Sequence, residues 1–359
     1  MSGARTGLLL INLGTPRSPD PADVRPYLRQ FLSDPRVLDM PALARWLLLT
    51  FAILPRRPRE SGRAYAKIWT DRGSPLLFHG RDLAEKVRQR LGPAVRVALA
   101  MRYGEPSIAA GLRELRDDGI DRVVAFPLYP QYSSAATGSS LEEVFRCAAE
   151  LWNVPYVQVV PPFYDHPTFL DACAEVARPW VEHEGVERVF FSFHGLPERH
   201  VRKSDDSGAH CLIREDCCGR IVPANRHCYR AQCCATARLL AERLGLPRER
   251  WVVCFQSRLG RDPWIQPYTD ELLEREPRSG VKRAVILSPA FVADCLETLE
   301  ELGMRGAASW KAAGGETLEL VPCLNARDGW ADAVVAIARD ATTWLGAAPA
   351  RAAAARSTA

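Results

Sequence analysis

His194 closes an apolar run and is followed at once by Gly195, a pairing that turns the backbone and points an imidazole outward, where it can exchange a proton or bind a metal. Taken alone, such a histidine serves equally as a hydrogen-bonded structural residue. Asp294, Glu297 and Glu301 fall at i, i+3 and i+7 of a helix expected to open just after Pro289, which stacks three carboxylates on one face and leaves Glu300 off it. Carboxylates in that pattern line either a solvated surface or a cleft, and the strand-end loop that introduces them favours the cleft. Arg102-Tyr103-Gly104 follows another apolar run with a guanidinium fork and a phenol suited to clamping a carboxylate. Tyr132, Ser133, Thr137, Gly138, Ser139 and Ser140 make a hydroxyl-rich turn, in which Ser140 is a candidate N-cap for the helix from Leu141 and Glu143 its capping-box partner. The remaining cluster is sulfur: Cys211, Cys217, Cys218, Cys228, Cys233 and Cys234 crowd one segment of a chain with 11 cysteines. In a reducing compartment that crowding suggests a metal rather than a disulfide framework. Such a thiol set suits a [2Fe–2S] cluster or an all-cysteine zinc site; the spacing matches neither paired CxxC motifs nor the plant ferredoxin run, so spacing does not choose between them.

The elements that must position these groups are read from hydrophobic period. Apolar runs at 7–13, 95–100, 122–128, 156–160, 187–193, 251–256, 283–287 and 318–321 predict strands, with helical patterns between most of them. Strand–helix alternation means a parallel α/β sheet. Long irregular segments at 33–75 and 204–230 interrupt the spacing, which favours two doubly wound domains over a closed barrel. Gly119-Ile-Asp-Arg122, Gly185-Val-Glu-Arg188 and Gly280-Val-Lys-Arg283 each open a strand, an internal echo of duplication. Ligands of open parallel sheets bind beyond the carboxyl ends of the strands, so the loops Ser192-Phe-His-Gly-Leu-Pro197 and Ser288-Pro-Ala-Phe-Val-Ala-Asp294 are expected to share one cleft, with His194 facing the Asp294 region.

Composition bounds the function. A chain of 359 residues exceeds what one core usually organises, in line with two domains. With 47% hydrophobic and 25% charged residues it is of ordinary globular type. A net charge of +4, evenly spread, leaves no nucleic-acid footprint, and a zinc module reading nucleic acid is disfavoured because Glu215 and Asp216 offset the arginines around the cysteines. The short apolar run after Arg5 lacks the length and cleavage site of a signal peptide, so the chain is expected in the cytoplasm. No apolar stretch reaches the ~20 residues a spanning helix needs. The nearest, 46–54, is bracketed by Arg45 and Arg56-Arg57 and can touch a membrane rather than cross it. The alanine-rich stretch 347–359 reads as a disordered tail.

These strings, in their order, resemble the ferrochelatases. Leu9-Leu-Ile-Asn-Leu-Gly-Thr-Pro16 is similar to the family's opening strand and loop, and Phe31-Leu-Ser-Asp-Pro35 to the helix end after it. Tyr129-Pro-Gln-Tyr-Ser133 with Thr137-Gly-Ser-Ser140, then Ser192-Phe-His-Gly-Leu-Pro197, Phe255-Gln-Ser-Arg-Leu-Gly260 with Pro263-Trp264, and Phe291-Val-Ala-Asp-Cys-Leu-Glu-Thr-Leu-Glu-Glu-Leu302 complete a resemblance over roughly residues 8–345. Two positions depart from it. Cys295 stands where many relatives carry a second histidine, and Leu13 where some carry methionine.

The resemblance implies two Rossmann-like, doubly wound domains of chelatase type with a porphyrin cleft between them: residues 1–160 with 326–346 returning to them, and 161–325 carrying a cysteine-rich insert at about 205–234. It implies insertion of Fe(II) into protoporphyrin to form haem, with coproporphyrin, or cobalt or nickel in place of iron, as the alternatives. Metallation must remove two pyrrole protons, so it implies His194 as proton acceptor or metal-side ligand and Glu297, with Asp294 and Glu301, as the opposing acidic path. Leu13, Tyr132 and Trp264, with Ser133 beside them, are expected to pack the macrocycle; Lys67, Arg102 and Tyr103 are the propionate candidates. The apolar lip 46–54 resembles that of membrane-associated members and favours protoporphyrin and peripheral membrane contact. The insert resembles that of bacterial ferrochelatases carrying a [2Fe–2S] cluster, which implies Cys228 and Cys233 as the firmest ligands, completed by Cys211 and one of Cys217 or Cys218 (Cys218 preferred), with Cys234 a small core residue.

Overall fold

A computed structural model describes residues 5–258, 260 and 262–346, so the expected tail at 347–359 and Leu259 of the string after β6 lie outside the described residues. Eight strands form two four-stranded parallel sheets. In the first, β1 (Thr6–Gly14), β2 (Val95–Tyr103), β3 (Arg122–Pro127) and β4 (Tyr156–Val159) lie in the order β2-β1-β3-β4. In the second, β5 (Arg188–His194), β6 (Trp251–Gln256), β7 (Arg283–Leu287) and β8 (Thr317–Leu320) lie in the order β6-β5-β7-β8. The two orders are the same permutation, so the echoed Gly-x-x-Arg strings before β3 and β7 occupy matching places in a repeated unit.

Central strands of parallel sheets are covered on both faces, and the sequence shows why β1 and β5 are central: Leu8 to Ile11 and Val189 to Phe191 are apolar without alternation and fully buried. The sheets do not stand apart. One core runs from Leu8, Leu10 and Phe126 of the first through the helices Pro75–Leu91, Pro167–Val181 and Asp328–Ala341 to Phe191 and Val285 of the second. Trp330, fully buried on the last of these helices, packs a tilted face against Phe163 and an edge against Phe169, each at 6.0 Å. Aromatic contacts of that kind add to the burial term and tie the C-terminal helix to the first half of the chain.

At the carboxyl end of the first sheet, β2 runs on through Arg102 and Tyr103, which are strand residues rather than the loop after it. Gly14 pairs with Tyr103 there at φ +114°, and a Cβ on Gly14 would lie 1.7 Å from the Tyr103 carbonyl oxygen, so only glycine permits the approach. Beyond these ends Tyr27, Tyr65, Leu28 and Tyr103 form a second apolar cluster, onto which Leu13, Leu296 and Leu299 pack. That cluster joins the first sheet's loops to the helix carrying the glutamates.

Candidate active site

His194 is the last residue of β5 and pairs in register with Gln256, the last residue of β6. Its Nδ1 lies 2.6 Å from the Gly195 carbonyl oxygen, which can only accept, so Nδ1 carries the proton and the Nε2 lone pair is left for chemistry. The ring sits 6.3 Å from Trp264 and 6.4 Å from Phe291. Gly195 has a different reason from the expected sharp turn, since it does not adopt a left-handed φ. A Cβ there would meet the Gln256 carbonyl oxygen at 2.8 Å and the Trp264 ring at 3.0 Å, so glycine admits the close packing of β6 and Trp264 against the histidine.

The acidic segment departs from expectation. The helix does not open after Pro289; it begins at Leu296 and runs as a π-helix over Glu297–Gly306. A π-helix bonds i to i+5 and has a wider turn, so Glu297 and Glu301, four apart, share a face. Asp294 precedes the helix and does not join them. It is buried, with its oxygens accepting from Asn325 Nδ2 at 2.7 Å, Thr298 Oγ1 at 3.2 Å and the Cys323 amide at 3.2 Å, and so pins the β8 loop to the helix start. The predicted stack of three carboxylates is therefore a pair.

Glu301 accepts from Ser257, whose amide lies 2.8 Å from Oε1 and whose hydroxyl lies 2.6 Å from Oε2. Burial pushes its carboxyl above the ordinary range, the Ser257 hydrogen bonds and His194 work against that, and the neighbouring Glu297 carboxylate adds to it. Glu297 is also close enough to Tyr27 and Tyr65 to help burial push both phenols up, and the buried Cys295 thiol donates to it. Glu300 points the other way, onto Lys67 at 2.9 Å and Arg305 at 2.8 Å, which hold it below its ordinary range despite burial. Lys67 thus spends one hydrogen bond on Glu300 while its side chain stays half-exposed.

Arg102 and Tyr103 turn to a partner inside the protein. Arg102 Nη2 and the Tyr103 hydroxyl both lie 2.8 Å from Asp34 Oδ2, and Ser139 Oγ donates to the same oxygen at 2.5 Å. Tyr103 is fully buried and Asp34 nearly so, so the clamp predicted for a ligand holds an internal carboxylate at the end of the helix Pro21–Ser33. Ser133, not Ser140, caps the helical segment after it, its hydroxyl accepting from the Ala136 amide at 3.1 Å. Ser140 is buried beside Tyr129. Tyr132 is half-buried, its amide bonded to Gln232 Oε1 at 2.6 Å and its ring 5.7 Å from His227.

The cysteine-rich segment is ordered by polar hubs. Asp205 accepts from the His210 and Cys211 amides at 2.9 and 2.8 Å, and fully buried Asn225 donates to the Cys217 and Arg220 carbonyls at 2.7 and 2.8 Å. The Cys228 and Cys234 thiols donate to Cys218, and together with Arg230, whose Nη1 is 3.2 Å from that sulfur, they hold Cys218 far below the usual thiol range. Cys228 also reaches Cys211, and Cys217 lies 3.8 Å from Cys218. Cys233 behaves otherwise. It is fully buried against Tyr229, on the helix face it shares with Ala237, whereas Cys234 shares its face with Arg230 and Arg238 and looks at Cys218. Among the described residues no three His, Cys, Asp or Glu side chains converge on a single metal ion. The sulfurs instead gather about Cys218, which Cys217, Cys228 and Cys234 all adjoin.

Sequence reasoning missed Tyr27, Tyr65, Gln256 and Ser257, all at the carboxyl ends of strands or on helices packed there. Gln256 donates from Nε2 to the Glu297 carbonyl at 2.8 Å and accepts from Ser192 Oγ at 2.7 Å. The Phe255-to-Gly260 string already marked that position; what it lacked was any sign that its side chains serve the glutamate helix.

The ferrochelatase family model matches residues 5–342. A ferrochelatase of Ectopseudomonas mendocina is 50% identical over 330 residues, covering 91% of this chain and 95% of that protein. One from Coxiella burnetii is 44% identical over 335 residues, covering 93% of each. Among solved structures, SirB from Bacillus subtilis with Fe3+ is similar in fold at a TM-score of 0.54 and 11% identity, covering 94% of this chain and 96% of that one.

Proposed function

The chain belongs to the ferrochelatase family, and from that premise we propose that it inserts ferrous iron into protoporphyrin, with release of two protons, through His194 and the glutamates Glu297 and Glu301. The observation that carries the reading is the fixed tautomer of His194: its Nδ1 proton is spent on Gly195, so Nε2 can accept a pyrrole proton without first losing one. Iron enters as a dication while two N–H protons leave. Glu297 and Glu301 on one face of the π-helix supply the negative charge that handles the metal and takes up the second proton. Burial raises the Glu301 carboxyl and so favours its taking up a proton. Trp264, Phe291 and Leu13 are the apolar surfaces nearest these groups and would press the macrocycle out of plane, exposing nitrogen lone pairs. Anaerobic protein mixed with protoporphyrin and Fe(II) is expected to give the haem absorption spectrum; a faster reaction with Co(II) or Ni(II) under competition would reassign the metal.

The lip supports protoporphyrin delivered from a membrane surface. Leu43, Trp46, Leu47 and Phe51 are 69%, 56%, 44% and 67% exposed, flanked by Arg45, Arg56 and Arg57. Leu49 and Leu54 face inward, so they belong to the core and not to the lip. No described helix is long and apolar enough to cross a membrane. A Leu43→Ser/Trp46→Ser/Phe51→Ser variant is expected to lose binding to anionic liposomes while its detergent-assayed turnover stays within about twofold of the parent. Preference for coproporphyrin, or a parent protein indifferent to liposomes, would overturn this part of the reading.

We further infer that the cysteine segment holds a [2Fe–2S] cluster. Cys211, Cys218 and Cys228 are three of the sulfurs; the fourth comes from the helix Tyr229–Arg243, where the facing of Cys234 toward Cys218 supports it over Cys233. A cluster so held ties a long loop to that helix and would contribute to folding rather than to metallation. Anaerobically purified protein is expected to be reddish-brown with acid-labile sulfide. Cys228→Ser should bleach it and lower the melting temperature, whereas colourless protein with stoichiometric zinc would replace the cluster by a zinc site.

A further inference from the structure

Ser257 is the residue next to the site whose backbone is out of the ordinary. It follows β6 directly, one residue beyond the Gln256 that pairs with His194, and its φ is +66°, in the left-handed region that a side chain other than glycine's rarely occupies. Conformations of that kind persist where the surroundings over-determine them, and they cluster at working sites. What determines this one is visible. The left-handed turn aims the amide and the hydroxyl of one residue at the two oxygens of one carboxylate, Glu301 Oε1 at 2.8 Å and Oε2 at 2.6 Å. With an extended backbone at Ser257 the Cβ would swing away relative to the amide, and the hydroxyl would leave that carboxylate. Glycine would take the φ without strain but would bring only one of the two donors.

We propose that Ser257 is the positioning residue of the metallation reaction, a two-donor clamp that fixes the Glu301 carboxylate toward His194 and Glu297. A carboxylate on a flexible glutamate rotates between several staggered arrangements, and a group that must meet a metal or a proton in one geometry loses rate when it does. Two hydrogen bonds from one rigid turn remove that freedom and leave the remaining lone pairs of both oxygens for the reaction. Gln256 acts beside it on the same helix, through its hydrogen bond to the Glu297 carbonyl at 2.8 Å, so consecutive residues at the end of β6 hold the π-helix by its backbone and by its second glutamate. Ser257 touches no reacting atom itself in this account. Its effect passes through Glu301.

The proposal rests on the metallation chemistry inferred above, and a double-mutant cycle tests it with the complete chain. Ser257→Gly keeps the φ and the amide hydrogen bond and deletes the hydroxyl, so the fold is not put at risk; Ser257→Ala deletes the hydroxyl and keeps the Cβ. With protoporphyrin and Fe(II), Ser257→Gly is expected to lower kcat about tenfold with the KM for porphyrin changed less than about twofold, and with the melting temperature unchanged. In a Glu301→Gln background the same serine substitution is expected to have no further effect on kcat, because its route is already cut. A purely structural serine would lower activity equally in both backgrounds, and that result overturns the proposal, as does a Ser257→Gly protein with parental kcat. Parent protein that makes no haem at all would instead remove the inferred chemistry, and the proposal with it, a failure told apart by the missing parental signal.

Discussion

His194→Ala is expected to lower metallation turnover at least about 100-fold, equivalent to about 2.7 kcal/mol of transition-state stabilisation, while leaving the melting temperature close to that of the parent. The activity loss follows from the tautomer. Nδ1 is committed to the Gly195 carbonyl at 2.6 Å, so Nε2 is a ready acceptor whose removal leaves no other imidazole at the end of β5. The small stability change follows from placement. The ring is half-exposed at a strand end, touching Trp264 and Phe291 rather than filling the interior, so its deletion opens no closed cavity. Glu297→Gln should act in parallel: the amide keeps the shape and can still accept from the Cys295 thiol, but it cannot hold a proton or a full negative charge. Steady-state haem formation with thermal melts on the same preparations checks both. A variant retaining more than about a tenth of parental turnover would remove that residue from the chemistry.

The two sheets were legible because buried parallel strands are written as unbroken apolar runs. Val-Val-Ala-Phe in β3 and Val-Phe-Phe in β5 admit no alternation and no other element of that length. His194 was legible for the same reason, since a polar residue ending such a run sits at a carboxyl end. Asp294 was not. Its spacing from Glu297 and Glu301 fits an α-helix, but the chain forms a π-helix that starts three residues later, and a change of helical register has no signature in residue type. Arg102 and Tyr103 failed differently: their chemistry was read correctly as a carboxylate clamp, yet the carboxylate is Asp34, far off in sequence and near in space. For Cys233 and Cys234 the sequence carries the two helix faces. Helical spacing puts Cys234 with Arg230 and Arg238, and arginines on one face favour thiolates there, while Tyr229, Cys233 and Ala237 make the apolar face. The conformation of Ser257 left no trace in its string, because a left-handed φ at a serine comes from tertiary contacts that no local preference announces.

Asp34→Ala is expected to destabilise the protein by about 3 kcal/mol, more than any single substitution among the catalytic candidates, because it strands four donors at once in a buried place. The Arg102 guanidinium, the Tyr103 hydroxyl and Ser139 Oγ all converge on Asp34 Oδ2, and the Arg36 amide takes Oδ1 at 2.7 Å. The Asp34 side chain is 4% exposed, so water cannot replace the lost acceptor without opening the joint between the first sheet and the helix Pro21–Ser33. For a chain of this size that loss corresponds to a fall of roughly 4 °C in melting temperature. The pH dependence carries a sign. Burial alone would raise the Asp34 carboxyl, but the hydrogen bonds from Ser139, Arg36 and Tyr103 and the Arg102 charge outweigh it and hold it below its ordinary value of 3.8. A carboxyl depressed in the folded state contributes stability that is fully present above its unfolded pKa and is lost as pH falls through the folded one. The gap between parent and Asp34→Ala should therefore be constant from pH 7 down to about 5 and narrow only in stronger acid. Melts across that range decide between two uses of the same residues. If Arg102 and Tyr103 were reserved for a porphyrin propionate, Asp34→Ala would free them, leaving a protein of parental stability with a changed KM for porphyrin. If they are the internal clamp that the distances describe, stability falls first and the dependence on porphyrin concentration is preserved in whatever fraction remains folded.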